Sequence, residues 1–138
     1  MKNTVIVTGG LGYIGSHTVV ELLNANYNVA VVDNLSNSSE NVIDGIEKIT
    51  GKKIEFINLD IRDYFKLESL LGYYQLNTVG VIHFAACKSV GESMKEPSKY
   101  YDNNVTGTNN LLKAMKYYKV DNLVFSSSCT VYGQADDL

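Results

Sequence analysis

The sequence predicts an α/β domain organised on a doubly wound parallel sheet. Three observations carry this expectation. Short β-branched or apolar runs alternate with longer amphipathic stretches through the whole chain. A glycine-rich turn joins the first run to the first amphipathic stretch. The apolar runs end in polar, acidic or small residues, at the edge where such a sheet gathers its chemistry. The pattern reads as five strands and four helices, and right-handed crossovers leave 3-2-1-4-5 as the expected strand order.

Thr4 to Val7 is a β-branched run bounded by glycine and reads as a buried strand. Gly9, Gly12 and Gly15 follow at three-residue spacing, and Gly10, Gly12 and Gly15 satisfy G-x-G-x-x-G. A helix is expected from Ser16, with Val19, Val20, Leu22 and Leu23 as its apolar face, then a strand from Val29 to Val32 ending in Asp33. The polar stretch N-L-S-N-S-S-E-N favours turns and helix caps. The next helix is expected from about Glu40 to Ile49, with Val42, Ile43, Ile46 and Ile49 on one side and Gly51 as its stop.

Lys53 to Leu59 alternates polar and apolar residues, as an edge or half-covered strand does. Asp63 is placed to cap a helix from Tyr64 to Tyr74 whose Phe65, Leu67, Leu70 and Leu71 face the sheet. Val79 to Ala86 is the most continuously apolar run, so it is expected at the centre of the sheet. Pro97 opens a long helix to about Lys119, with Val105, Leu111, Leu112 and Met115 as core candidates. A last strand, Asn122 to Ser127, leads into S-C-T-V-Y-G.

Composition narrows the function classes. At 138 residues, 45% hydrophobic and with one proline, the chain reads as one ordinary globular domain with a substantial core. A net charge of −3 with no basic run does not suggest a nucleic-acid or anionic-membrane surface. No segment approaches membrane-spanning length, and the first residues lack the features of a signal peptide. Cys87 and Cys129 form no C-x-x-C pair, so a reduced cytoplasmic setting is expected. Both read as small packing residues. His83 lies inside an apolar strand and reads as a satisfied core histidine, and His17 as packing or capping. No His, Cys and carboxylate cluster has metal-ligand spacing, so no metal is expected.

The glycine turn carries the chemistry. One glycine makes a tight turn, one lets the backbone approach a pyrophosphate, and one lets the helix pack close to the strand. The helix amides and dipole then face the phosphates. Asp33, eighteen residues after Gly15, can accept from both hydroxyls of an adenosine ribose and repels a 2′-phosphate, which favours NAD over NADP. Asp60 with Ile61 pairs an acceptor for an adenine amine with an apolar face for the ring. The small residues after the fourth strand let a cofactor lie flat against the backbone. Asn103 and Asn104, early in the long helix, either face solvent or meet a bound dinucleotide.

The segments T-G-G-x-G-Y-I-G-S-H, D-N-L-x-N-S, L-D-I-R, H-F-A-A-x-K-x-V-G-E-S, Y-Y-D-N-N-V-x-G-T and F-S-S-S-x-T-V-Y-G stand in this order. Together they resemble the extended short-chain dehydrogenase/reductase family, and within it the UDP-glucose 4-epimerase branch, over essentially the whole chain. The resemblance implies a Rossmann-like fold and NAD as cofactor. It places Gly9, Gly12, Tyr13, Ile14 and Gly15 at the pyrophosphate, and Asp33, Asn34, Leu35, Ser36, Asn37 and Ser38 at the adenosine ribose. Asp60 and Ile61 fall at the adenine, and Phe84, Ala85, Ala86, Cys87, Lys88 and Asn103 along the central cofactor cleft. For Lys88 a solvated surface lysine is the competing reading. By the same resemblance, Ser128 would be the serine that hydrogen-bonds the reacting sugar hydroxyl, and so the one catalytic and substrate-binding candidate.

The reaction so implied interconverts UDP-glucose and UDP-galactose through a 4-keto intermediate, with proton removal by the tyrosine of a Y-x-x-x-K pair. Here the sequence departs from the pattern. Tyr13 is followed four residues on by His17, Tyr64 by Glu68, Tyr100 by Asn104, Tyr101 by Val105 and Tyr132 by Asp136. The chain is therefore expected to be the NAD-binding portion only, lacking the sugar-nucleotide-binding part. Two other readings stay open: a non-catalytic NAD-binding module, and a sugar-nucleotide 4,6-dehydratase fragment. The second is disfavoured because Cys129-Thr130-Val131-Tyr132 holds no carboxylate where dehydratases carry an acidic pair. Self-association is expected through the long helix after Pro97 or around the last strand.

Overall fold

The computed structural model describes residues 3–128, 131 and 133; Cys129, Thr130 and Tyr132, named above, lie outside them. Among the described residues, strands β1 (Thr4–Thr8), β2 (Asn28–Asp33), β3 (Glu55–Asn58), β4 (Thr78–His83) and β5 (Leu123–Phe125) form one sheet. All pairings are parallel and the order is β3-β2-β1-β4-β5, as expected. The connecting helices are α1 (Tyr13–Asn24), α2 (Asn41–Thr50) and α3 (Tyr64–Tyr74). Between β4 and β5 come α4 (Val90–Lys95), α5 (Pro97–Tyr100), a π-helical turn (Tyr101–Thr106) and α6 (Gly107–Tyr117).

Alternation along the strands sorts the core into two layers. Val5, Val7, Val29 and Val31 point to one face and pack with Val19 and Leu23 of α1 and Ile46 of α2. Ile6, Ala30, Val32 and Val81 point to the other, against Leu67, Leu70 and Leu71 of α3 and Leu111, Ala114 and Met115 of α6. The middle strand is β1, buried at all five positions, and not the more continuously apolar β4. On β4, Val79 and Ile82 are only half-buried. They lie on the α1–α2 face, whose helices cover the β1–β2 side most fully.

Several expected core side chains lie outside. Phe65 is 77% exposed because it sits two residues, about 200° of helix, from the buried Leu67. Leu112 is exposed beside the fully buried Leu111, at the margin of the α6 stripe, and Ile49 is exposed in the last turn of α2. Val105 is exposed within the π turn, where each bond reaches one residue further back and the helical phase slips. That slip and α4 are the two features the single long helix did not anticipate. Ser89 accepts from the Glu92 N–H at the start of α4, so Ser89-Val90-Gly91-Glu92 carries a capping signature. The Asp63 cap, the Gly51 stop and Pro97 in the first turn of α5 stand where the sequence places them.

Candidate functional site

The carboxyl ends of β1, β2, β3 and β4 converge where strand order reverses. Gly9 has φ +68°, and its N–H donates to Val32 O at 2.7 Å. A β-carbon on Gly9 would lie 2.7 Å from the Ala85 backbone nitrogen, so the turn and the end of β4 meet backbone to backbone. Helix α1 begins at Tyr13, inside the glycine segment and before the expected Ser16, with Gly12 extended as its first flanking residue. No side chain caps this end, and its first turn holds no acidic residue. Tyr13 and Ile14 are exposed there, and the His17 ring contacts Tyr13 O at 2.8 Å through Nδ1. The helix dipole and its unpaired amides therefore face outward with no neutralising carboxylate in the first turn.

Beside this end stands the Asp33 carboxylate, 8% exposed. Oδ2 accepts from Leu11 N at 3.1 Å, and Oδ1 accepts from Leu35 N at 3.0 Å and Ser38 Oγ at 2.8 Å. These bonds hold Leu35 at φ +59°, a conformation that strains a leucine. Asn34 Oδ1 accepts from Ser36 N, and its Nδ2 donates to Asp60 Oδ2 at 3.0 Å. The polar loop from Asn34 to Ser38 is thus ordered by the two acidic strand ends it joins; Asn37 is exposed within it.

At the end of β3, Asp60 is fully engaged by Arg62 and Asn34. The Arg62 guanidinium holds the Asp60 carboxyl well below the usual carboxylate range and is itself raised. Ile61, expected to offer an apolar face, is 3% exposed and belongs to the α3–α6 core, so the segment presents backbone at this point. Phe84 and Ala85 are half-buried, whereas Ala86 and Lys88 are exposed. Cys87 is held by Asn104, whose Oδ1 accepts from Cys87 N and whose Nδ2 donates to Cys87 O, both at 2.8 Å. Asn103 Nδ2 donates to the same Asn104 oxygen, which places Asn103 against the loop. Ser128 is exposed three residues past β5, and its carbonyl accepts from Val131 N.

Thr8 and Thr108, which no expectation named, connect these parts through His83. Thr108 Oγ donates to Asn104 O at 2.6 Å, so at 3.0 Å it must accept from the His83 Nε2–H. His83 Nδ1 then accepts from Thr8 Oγ, 2.5 Å away. This assigns the tautomer and makes His83, 2% exposed, a satisfied core histidine that links β1 to the helix start. Burial pushes its pKa down to about 4. A histidine whose folded pKa lies below its unfolded value takes up its proton on unfolding. Its contribution is complete above about pH 6.5 and is lost as pH falls toward 4, for a total of about 3 kcal/mol. Denaturant melts from pH 7 to 4.5 are expected to show this slope in the wild type and not in H83Q. Equal slopes would refute it.

Among the described residues, no group of three His, Cys, Asp or Glu side chains is placed to hold a metal, and no helix is long and apolar enough to cross a membrane. A cleft of about 530 Å³ opens at the amino ends of β1, β2 and β3, between Thr4, Asn28 and Lys52, opposite the carboxyl ends described above.

A helix dipole left open over a glycine turn, at the reversal of strand order, is the arrangement of Rossmann-like domains. The chain belongs to the family whose model is described as GDP-mannose 4,6 dehydratase, which matches residues 6–138. It is similar to the UDP-glucose 4-epimerase of Dictyostelium discoideum, at 54% identity over 133 residues that make up 96% of this chain and 38% of that protein. The UDP-glucose 4-epimerase of Pasteurella multocida is 52% identical over 132 residues, 96% of this chain and 38% of that one. Among solved structures, UDP-glucose-4-epimerase from Stenotrophomonas maltophila with bound NAD and formylated UDP-arabinopyranose matches with a TM-score of 0.92 at 47% identity. That match covers 98% of this chain and 40% of the other. The enzyme from Bifidobacterium longum in complex with NAD+ and UDP matches to the same extent. The chain thus spans 38% to 40% of the length of these relatives.

Proposed function

We propose that residues 1–138 form the NAD-binding domain of a UDP-glucose 4-epimerase. The observation that carries this reading is the uncapped start of α1 over the glycine turn, with the buried Asp33 carboxylate beside it. An exposed dipole end suits a pyrophosphate, and an adjoining carboxylate suits a ribose diol. Tyr13 and Ile14 would meet the pyrophosphate, the Asp33–Ser38 segment the ribose, and the Asp60–Ile61 segment the adenine. Phe84 to Lys88 and Asn103 would line the cleft toward Ser128, which would hold the sugar hydroxyl. NAD, when bound, supplies the acceptance and return of hydride at the sugar. This chain's residues bind and orient it.

The family description is that of a dehydratase, whereas relatives sharing half of the residues are epimerases, and the epimerase reading follows the closer similarity. No tyrosine in the 138 residues is followed four positions later by lysine, so the chain by itself is expected to bind without turnover. A UDP-sugar partner, a cytoplasmic setting and self-association belong to the same proposal. Tyr101, Val105 and Leu112 along the helix, and Val124 and Phe125 on β5, give self-association its exposed apolar surface.

Calorimetric titration with NAD and an assay on UDP-galactose, with and without added NAD, test the reading. Saturable one-to-one NAD binding with no turnover is the expected result. Absence of NAD binding would overturn the proposal, and turnover would overturn its binding-only part.

A further inference from the structure

The Arg62 guanidinium sits between two carboxylates from different parts of the fold. Nε donates to Asp60 Oδ1 at 3.0 Å and one Nη to Asp60 Oδ2 at 2.8 Å, a two-point fork. The other Nη donates to Asp102 Oδ2 at 3.1 Å, in the π turn beside Asn103. The Arg62 backbone N–H adds a third bond to this carboxylate, to Oδ1 of Asp60 at 2.9 Å. The same loop is docked on α6 in two further ways. Asn110 Nδ2 donates to Arg62 O at 2.9 Å, and Gly107 leaves room for Ile61, whose side chain would lie 2.6 Å from a β-carbon there.

Stability does not account for this bridge. The Arg62 side chain is 43% exposed and that of Asp102 53%. The Asp60 side chain is itself 28% exposed, and ion pairs this open to solvent contribute little to stability. A fork supplies direction instead, because two parallel bonds set the plane of the carboxylate. Asp60 accepts from four donors, three of them on Arg62 and one the Asn34 amide. The neutral amide is held less strongly than the guanidinium, so it is the donor that an incoming amino group can replace.

We propose that Arg62 is a positioning residue for dinucleotide recognition. It aims Asp60 Oδ2 at the 6-amino group of the adenine, in the place now taken by the Asn34 amide. Through Asp102 it ties that carboxylate to the turn that carries Asn103. The inference rests on the NAD reading above and adds to it the residue that makes the adenine edge legible.

The test compares affinities for NAD and for nicotinamide hypoxanthine dinucleotide, which carries a carbonyl oxygen in place of the amino group. The wild type is expected to prefer NAD by about tenfold, the worth of one hydrogen bond to a charged acceptor. In R62A and R62K the preference is expected to fall below about twofold, since neither side chain forms the fork, with melting temperatures close to wild type. D102N is expected to keep the preference while binding NAD more weakly. Three results would overturn the inference and leave the NAD reading standing: no discrimination by the wild type, R62A and R62K discriminating as well as wild type, or D102N matching wild type in NAD affinity. A wild type that binds neither dinucleotide overturns both.

Discussion

Gly15→Ala is expected to abolish measurable NAD binding and to destabilise the fold by about 2–4 kcal/mol. Gly15 lies in the first turn of α1, and a β-carbon there would stand 2.2 Å from the Gly9 carbonyl oxygen and 2.9 Å from Gly10 Cα. Both are backbone atoms, so no rotamer change relieves the clash. Either the helix withdraws from the turn or the turn opens, and each removes the amides that would face a pyrophosphate. The same substitution at Gly45 is an internal control. Gly45 is also helical, within α2, but a β-carbon there meets nothing within 4 Å. Gly45→Ala is expected to stabilise the chain by about 0.5–1 kcal/mol and to leave NAD affinity unchanged. Chemical denaturation of the two variants is expected to give stability changes of opposite sign, and NAD titration a loss of binding in Gly15→Ala with none in Gly45→Ala. A Gly15→Ala chain as stable as the wild type would sink it.

Asp33→Asn is expected to lower NAD affinity by about two orders of magnitude and to collapse the preference for NAD over NADP. Asp33 Oδ1 and Oδ2 accept from Leu35 N, Ser38 Oγ and Leu11 N. An amide supplies one oxygen, and its NH2 group would oppose one of these donors. Some loss of stability, about 1–3 kcal/mol, therefore accompanies the loss of affinity, because the group is buried. The cofactor ratio separates the two effects. A general loosening weakens NAD and NADP alike, whereas removal of the charge relieves only the 2′-phosphate. Equal affinity of the wild type for NAD and NADP would remove the role given to this carboxylate.

Structure was most legible in the sequence where one short segment contains all the interacting parts. The turn from Gly9 to Gly15, the acidic end of β2 and the caps at Asp63 and Gly51 depend on neighbours a few residues away. Their sterics and hydrogen bonds are written in consecutive positions. Strand order also followed, because right-handed crossovers leave few alternatives. Side-chain exposure was less legible. Phe65 and Leu112 belong to apolar runs, yet the sheet covers only one stripe of each helix, and the stripe is chosen by packing.

The hydrogen bonds that tie the carboxyl ends of the strands to the helices were not visible at that level. Arg62 reaches Asp102 across 40 positions of sequence, and Thr8 reaches His83 across 75. Neither pair has a local periodic signature. The π turn decides the rest, since its one-residue slip is a backbone adjustment that no propensity of Tyr101 to Thr106 announces. The sequence by itself determined an α/β sheet of known strand order with a phosphate-type turn and an acidic strand end, because local sterics and hydrophobic period are short-range properties. Only the tertiary structure decided that Asn34 reaches Asp60, that Arg62 reaches Asp102 and that Asn104 holds Cys87, because packing alone brings these groups within hydrogen-bonding distance.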